Sequence, residues 1–144
     1  MDSGQELRLD GPSDVSFEVL AAARLEGSPE IEVELVVNGY PRQTRKIVAD
    51  GTTRPLKFTT RFERSGWAAL RVFPHAHGNP VHVIVKGEPV RASADSARWC
   101  LEGVERCWNS KRGTYAEAEL EAAREAYEHA RRAYRRILRE CGER

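Results

Sequence analysis

The segment EIEVELVVNG, residues 30–39, sets the architecture of the first half of the chain. Its apolar residues alternate with glutamates. Because successive side chains of a β-strand point to opposite faces, this period of two predicts a strand with one dry face and one wet face. The closing Asn38-Gly39 predicts a tight hairpin turn, since both positions tolerate a positive φ. The segment therefore predicts a strand that turns back into an antiparallel neighbour.

The same period of two continues on both sides of this segment. It predicts about seven strands, at residues 6–9, 15–25, 31–37, 43–48, 56–62, 67–73 and 81–85. Turn residues mark strand ends at Asp50-Gly51, Ser65-Gly66 and Lys86-Gly87. No stretch of helical period separates the strands, so parallel pairing is disfavoured. Residues 1–91 are therefore predicted to form an immunoglobulin-like antiparallel β-sandwich.

The period changes near residue 92, and two helices are predicted over residues 92–144. In the first helix, apolar residues recur every three or four positions from Ala97 to Trp108, and Ser93 is the expected N-cap. Lys111-Arg112-Gly113 contains a helix stop. Thr114-Tyr115-Ala116-Glu117 is typical of a capping box, so it is predicted to open the second helix.

The second helix carries a narrow apolar seam at heptad spacing. The seam consists of Leu120, Ala123, Tyr127, Ala130, Tyr134, Ile137 and Cys141. Its small alanines allow a neighbouring helix to approach closely, which favours an antiparallel helical hairpin. We expect this hairpin to pack on the sandwich, so that the whole chain forms one cooperative unit.

Composition and charge exclude several classes of function. The 144 residues carry a net charge of +1, which gives no long-range attraction to nucleic acid. The N-terminus has no signal-like apolar region, and no apolar run is long enough for a membrane span, so we predict a soluble protein without a membrane partner and assign no compartment.

In the second helix, glutamates come first and arginines follow, which complements the helix dipole. That order favours a solvated helix over a phosphate-binding face.

The most suggestive chemical motif is a histidine-containing loop. His75 and His77 form an H-x-H pair, which can chelate zinc when both rings point to one side. A catalytic metal usually needs three protein ligands and a general base, and no acidic residue lies nearby in sequence. We therefore predict no metal, no cofactor and no catalytic residue. The alternative is a free-standing metalloenzyme that uses His75, His77 and His82, which requires an acid supplied by the fold.

Five residues are predicted to make interdomain or loop-ordering contacts. They are polar or aromatic side chains at positions that the periodic patterns do not require: His75, His77, Asn79, Arg91 and Trp99. Trp99 falls off the apolar stripe of the first helix, which makes it a candidate interface residue. Arg91 precedes the first helix and could instead tie helix to sheet. An ordinary structural role is the competing interpretation for each residue.

Several runs of the second half, taken in order, resemble the C-terminal region of CehA/McbA-type metallohydrolases of the PHP superfamily. The runs are SGWAALRV (residues 65–72), HGNPVHV (77–83), PVRAS (89–93) and the stretch from Trp99-Cys100 to Cys107-Trp108. The strand that ends in V-N-G at residue 39 is similar as well. His77-Gly78-Asn79-Pro80 departs slightly from the H-T-N-P of such proteins, which leaves the expected loop role of this segment intact.

The resemblance implies a module without chemistry of its own. In that family the metal-binding residues lie in a PHP-like catalytic domain that precedes this region, and none of those motifs matches a position here. The resemblance therefore implies a non-catalytic accessory domain, a fragment of a larger protein whose partner is that catalytic domain. It allows a homo-oligomer, and it allows an exported parent whose signal precedes the missing domain.

A second hypothesis is an independent module that binds carbohydrate or peptide through its sheet or loops. It predicts a concave cluster of exposed aromatic side chains. The accessory hypothesis instead predicts a broad, partly apolar patch left bare by the removal of a partner.

Overall fold

Residues 5–142 are described by a computed structural model, and they form eight strands followed by two helices. The chain divides into two compact units, Met1–Val90 and Arg91–Arg144. All described strands lie in the first unit, and both helices lie in the second. The expectation of a β-rich chain that ends in two helices is confirmed.

The strands form two sheets. Their bounds are β1, Glu6–Leu9; β2, Ser13–Ala21; β3, Glu30–Val37; β4, Tyr40–Val48; β5, Arg54–Phe62; β6, Gly66–Val72; β7, Ala76–His77; and β8, Val81–Val85. The larger sheet has the order β1-β8-β6-β3-β4, with β7 beside β6, while β2 and β5 form the smaller sheet. β7 lies inside the predicted histidine loop. With two residues it is too short to leave a period in the sequence.

One hydrophobic core receives side chains from both sheets. Val33 and Leu35 of β3 and Phe58 of β5 are at most 2% exposed, so the predicted inward positions of β3 are confirmed. Gln43 of β4 adds a polar link between the sheets. Its amide donates a hydrogen bond to the Thr59 carbonyl at 2.5 Å and accepts one from the Thr59 N–H at 3.4 Å. The Gln43 amide therefore pairs with the backbone of Thr59 through the same donor and acceptor groups that an adjacent strand would use.

β1 corrects the expectation that pairing is antiparallel throughout. It runs parallel to β8, with Glu6 opposite His82 and Leu9 opposite Val85. The prediction assumed that a parallel connection needs a helix. Parallel strands require only a crossover of sufficient length, and the strands that lie between β1 and β8 in the chain supply it. The other strand pairings among the described residues are antiparallel.

The hairpin turn predicted at Asn38-Gly39 is confirmed, with φ angles of 52° and 93°. The Asn38 N–H donates to the Trp67 carbonyl at 3.0 Å, and its side-chain Oδ1 accepts from the Trp67 N–H at 2.9 Å. Gly66 makes this contact possible, because a Cβ at that position would lie 2.7 Å from Oδ1. The residue predicted as a turn glycine is therefore needed for a close approach.

The two helices are α1, Ala94–Lys111, and α2, Glu117–Gly142. Ser93 is the N-cap of α1 as predicted, since its side chain accepts a hydrogen bond from the Ser96 N–H at 3.1 Å. Neither described helix is both long and apolar enough to cross a membrane.

The capping box predicted at Thr114 is wrong. Both the N–H and the hydroxyl of Thr114 donate to the Lys111 carbonyl at 2.8 Å, which closes the turn after α1. α2 begins later, where the Ala116 carbonyl accepts from the Leu120 N–H at 3.1 Å. The hydroxyl of Thr114 is engaged by the preceding helix and does not cap the following one.

Asp50 organises the connection between β4 and β5. Its carboxylate accepts two hydrogen bonds from the Arg54 guanidinium, at 2.9 and 2.8 Å, and one from the Thr52 N–H at 2.8 Å. These donors, Arg54 above all, hold the pKa of Asp50 below its ordinary value. Arg54 also donates to the Val48 carbonyl at 3.0 Å. The charged pair therefore ties the end of β4 to the start of β5.

The Gly66→Ala variant tests the close approach to Asn38. The new methyl group would displace the Asn38 side chain and remove its hydrogen bond to Trp67, so we expect a loss of about 1–3 kcal/mol in the free energy of unfolding. Gly11→Ala is the matched control, because nothing lies within 4 Å of a Cβ at Gly11. Urea denaturation measures both variants, and equal stability of the two would contradict the assigned role of Gly66.

The Asp50→Asn variant tests the carboxylate clamp. A carboxylate whose folded pKa is depressed stabilises the folded state above its ordinary pKa, and that contribution is lost as pH falls toward the folded pKa. We therefore expect the variant to be less stable than wild type at neutral pH, with a gap that narrows below about pH 4. Urea denaturation across that range measures the gap. Asp10→Asn, in an exposed bend, is the control; a gap independent of pH would rule out the carboxylate explanation.

Candidate functional site

Three of the predicted contact residues lie around β7 in the first unit. His75, His77 and Asn79 are all exposed there. The His75 N–H donates to the Val72 carbonyl at 2.7 Å, so its backbone closes the turn after β6. His82 lies on β8, also exposed. Among the described residues, no three His, Cys, Asp or Glu side chains are grouped so that they could hold a metal ion.

The other two predicted contact residues lie in the helical unit. Arg91 donates from Nε to the Glu140 carboxylate at 2.5 Å, so it ties the start of this unit to the last turns of α2. Trp99 lies on α1 with 74% of its surface exposed. Of the five residues, Trp99 is the one that presents a large apolar surface to solvent.

Arg131 forms the polar centre of the helical unit, and the sequence analysis did not identify it. The residue is 7% exposed, and its guanidinium donates to Glu105 of α1 at 2.8 and 2.9 Å and to Glu128 at 2.7 Å. It also lies over the Trp108 ring, 5.8 Å from the centroid. Hydrogen bonding from Arg131 lowers the pKa of Glu105. The sequence feature that could have indicated a buried arginine is the position of Arg131 one turn after Tyr127, beside the apolar seam.

Aromatic rings and a thiol fill the interior next to this ion pair. The Trp108 and Tyr127 rings lie with their centroids 5.1 Å apart, and Tyr115 stacks on Trp108 at 6.5 Å. The Tyr127 hydroxyl lies 3.0 Å from the Cys107 sulfur and accepts a hydrogen bond from Tyr115 at 3.4 Å. The contact with Cys107 is the largest cause of a raised pKa of Tyr127, and the hydrogen bond with Tyr115 raises this pKa further. The cluster joins α1, α2 and the turn between them.

An open apolar groove of about 440 Å³ runs between α1 and α2. Trp99 and Tyr134 line it, together with the small residues Gly103, Ala126 and Ala130. The thiols of Cys100 and Cys107 line it as well. Because small residues let another surface approach the helix backbones, the groove is suited to an apolar segment of a partner.

Exposed aromatic side chains of the first unit do not form a comparable surface. Tyr40 is 65% exposed beside Val37, at the end of β3. Phe73 is 72% exposed and borders a shallow depression that includes Glu32, near the start of β3. The strand register therefore separates the two rings along β3. They do not make the concave aromatic cluster that a carbohydrate-binding sheet would need.

Comparison with known proteins found no matching family model, no matching curated protein and no matching solved structure. The resemblance to CehA/McbA-type metallohydrolases therefore stays a prediction.

The Arg131→Leu variant tests the polar centre of the helical unit. Without the guanidinium, Glu105 and Glu128 lose their shared counter-ion, and Trp108 loses the charge above its ring. We expect the melting temperature of the helical signal in circular dichroism to fall by several degrees. Arg132→Leu, exposed on the same turn of α2, should shift it by no more than about one degree. Equal shifts in the two variants would contradict a special role for Arg131.

Proposed function

We propose that the chain is a non-catalytic accessory module of a larger protein, and that the groove of its helical unit is the surface through which it associates. The observation that carries this proposal is the open apolar groove that is lined by Trp99, a residue that is 74% exposed. Large apolar side chains exposed over a concave apolar surface are characteristic of protein interfaces, where tryptophan is enriched among the residues that dominate binding energy.

The sparse interior of the helical unit supports the same proposal. Among the described residues of α2, Arg131 is the one buried residue. Among those of α1, Ala97 is the one buried residue. The predicted seam of α2 is half-buried along its whole length. A hairpin of this kind gains stability when another protein covers its apolar surface, because more apolar area is then removed from water.

The proposed parent is a PHP-type metal-dependent hydrolase whose catalytic domain precedes this region. The ordered resemblance of residues 65–108 to the C-terminal region of CehA/McbA-type metallohydrolases supports this assignment. In that arrangement the module shapes or covers the mouth of the active site, or assists assembly of the hydrolase. The first unit serves as its scaffold. Two sheets with a common core support the finer proposal that this scaffold is an immunoglobulin-like β-sandwich.

Trp99→Asp tests the association surface. Native mass spectrometry would follow the chain alone and mixed with the PHP-type catalytic domain of a CehA/McbA-type metallohydrolase from the same genome. We expect wild type to form a complex in at least one of these samples and the variant to weaken that complex by about tenfold or more, because a charge at Trp99 cannot be buried in an apolar groove.

Leu20→Asp is the matched control, since Leu20 is 77% exposed and lies outside the groove. This variant should form the same complex as wild type. A wild-type chain that is monomeric in both samples would contradict the proposed function. So would a complex that both substitutions weaken equally, because the groove would then have no particular role.

A further inference from the structure

We infer that the outer edge of β2 binds an extended segment of a partner protein, which adds a third strand to the smaller sheet. The segment carries apolar side chains at alternate positions and basic side chains between them. This surface belongs to the first unit and shares no residue with the groove between α1 and α2, so the inference does not depend on the proposed function.

Of the described sheet edges, that of β2 is the least protected against a further strand. Native proteins protect edges by making them short, by placing proline or basic side chains on them, or by covering them. β1 and β7 are short, with four and two residues, and β4 carries Pro41 and Lys46. The Gln43 amide covers the outer edge of β5 at Thr59. β2 has nine residues and contains no proline, lysine or arginine.

The geometry of the β2–β5 ladder identifies the backbone groups at the outer edge of β2. Thr59 of β5 directs its N–H and its carbonyl toward Gln43, away from β2. Ser16 lies opposite Thr59, and residues of an antiparallel ladder that exchange no hydrogen bonds direct their backbone groups outward on both strands. The residues of β2 that share this orientation, called here the edge residues of β2, are Asp14, Ser16, Glu18 and Leu20. Each of them presents one N–H and one carbonyl at the outer edge.

This row of donors and acceptors matches the backbone of an extended strand. Within residues 5–142, no hydrogen bond from outside β5 reaches the edge residues of β2. An extended segment that adds to such an edge satisfies both kinds of group along its length, as in β-strand addition. At about 3.4 Å per residue, β2 is about 30 Å long, which is enough for continuous pairing.

The core is incompletely covered beside this edge. β5 lies next to β4 through Gln43, so the outer edge of β2 points toward the other end of the larger sheet, where β1 is the edge strand. Leu7 on β1 and Phe17 and Val19 on β2 pack against the core and are only half-buried. An added strand that directs apolar side chains inward removes this surface from water.

Charge determines the outer side chains of the segment and excludes a second copy. The exposed face of β2 carries Asp14 and Glu18 and no base. Lys57 and Arg61 of β5 lie 3.3 and 4.0 Å from these acids on one side, and the side toward the outer edge is open to a further base. A second β2 would bring the same acids, and its inward side chains would stay directed into its own core. A segment that belongs to no other sheet therefore fits this edge.

Amide hydrogen exchange followed by NMR tests the edge directly. In the chain alone, the amides of the edge residues of β2 should exchange about tenfold faster or more than those of Val15, Phe17 and Val19, which bond to β5. The probe is a fluorescein-labelled nine-residue peptide that alternates valine with lysine. Its addition should slow exchange at the edge residues of β2.

The Ser16→Pro variant removes one N–H from the edge and leaves the β2–β5 ladder intact, because proline is tolerated where the N–H faces away from the sheet. Ser16→Thr is the matched control, since it keeps the N–H and a hydroxyl beside Thr59. We expect fluorescence anisotropy to show binding of the peptide about tenfold weaker or worse for Ser16→Pro and unchanged for Ser16→Thr. A peptide with glutamate in place of lysine should bind wild type more weakly. Circular dichroism would verify that both variants are folded.

Absence of saturable binding of the lysine peptide in the millimolar range would overturn the inference. So would binding that Ser16→Pro and Ser16→Thr affect equally, or slowed exchange that omits the edge residues of β2. A wild-type chain that dimerises, with the dimer lost in Ser16→Pro, would replace the partner segment by a second copy. Trp99→Asp should bind the peptide as wild type does, so failure of the groove and failure of this edge are distinguishable.

Discussion

The contact between the Asn38 side chain and the backbone of Trp67 is the constraint on which the larger sheet depends. At the end of the β3–β6 ladder, the Asn38 side chain accepts a hydrogen bond from the Trp67 N–H in space that Gly66 leaves open, and the Asn38 N–H donates to the Trp67 carbonyl. β6 in turn carries β8, and β8 carries β1. The contact of Asn38 with Trp67 therefore lies at the junction between the β3–β4 hairpin and the part of the sheet that contains β6, β8 and β1. Asn38 and Gly66 therefore cannot be exchanged for other turn residues without loss of this contact.

The helical unit is held together in a different way. Its interior is organised around the guanidinium of Arg131, which satisfies two glutamates while lying over an indole ring. Such a centre specifies how two helices align, because a bidentate ion pair tolerates little sliding. It contributes less apolar burial than a conventional core. The unit is therefore well defined in geometry and still has apolar surface to offer, and this combination suits a module that works by association.

Local patterns in the sequence predicted what local interactions determine. Alternation along β3, the turn at Asn38 and the N-cap Ser93 follow from side-chain direction and backbone preference, and each is confirmed. The parallel partner of β1 was missed because strand pairing between distant segments leaves no periodic trace. Arg131 was interpreted as a solvated charge, since sequence alone does not reveal two acids converging on it. Trp99 was selected by its departure from the helical period, but the depth of the groove beside it depends on how α1 and α2 are aligned.

The parallel pairing of β1 with β8 also sets an order of events during synthesis. β1 leaves the ribosome before the other described strands, and its neighbour in the sheet is the last described strand to follow. Until β8 emerges, the apolar side chains of Leu7 and Leu9 have no strand to lie beside. Contacts between segments so distant in the chain are costly in entropy to form and slow to establish. The first unit can therefore complete its sheet only when the chain has been made almost to the start of α1.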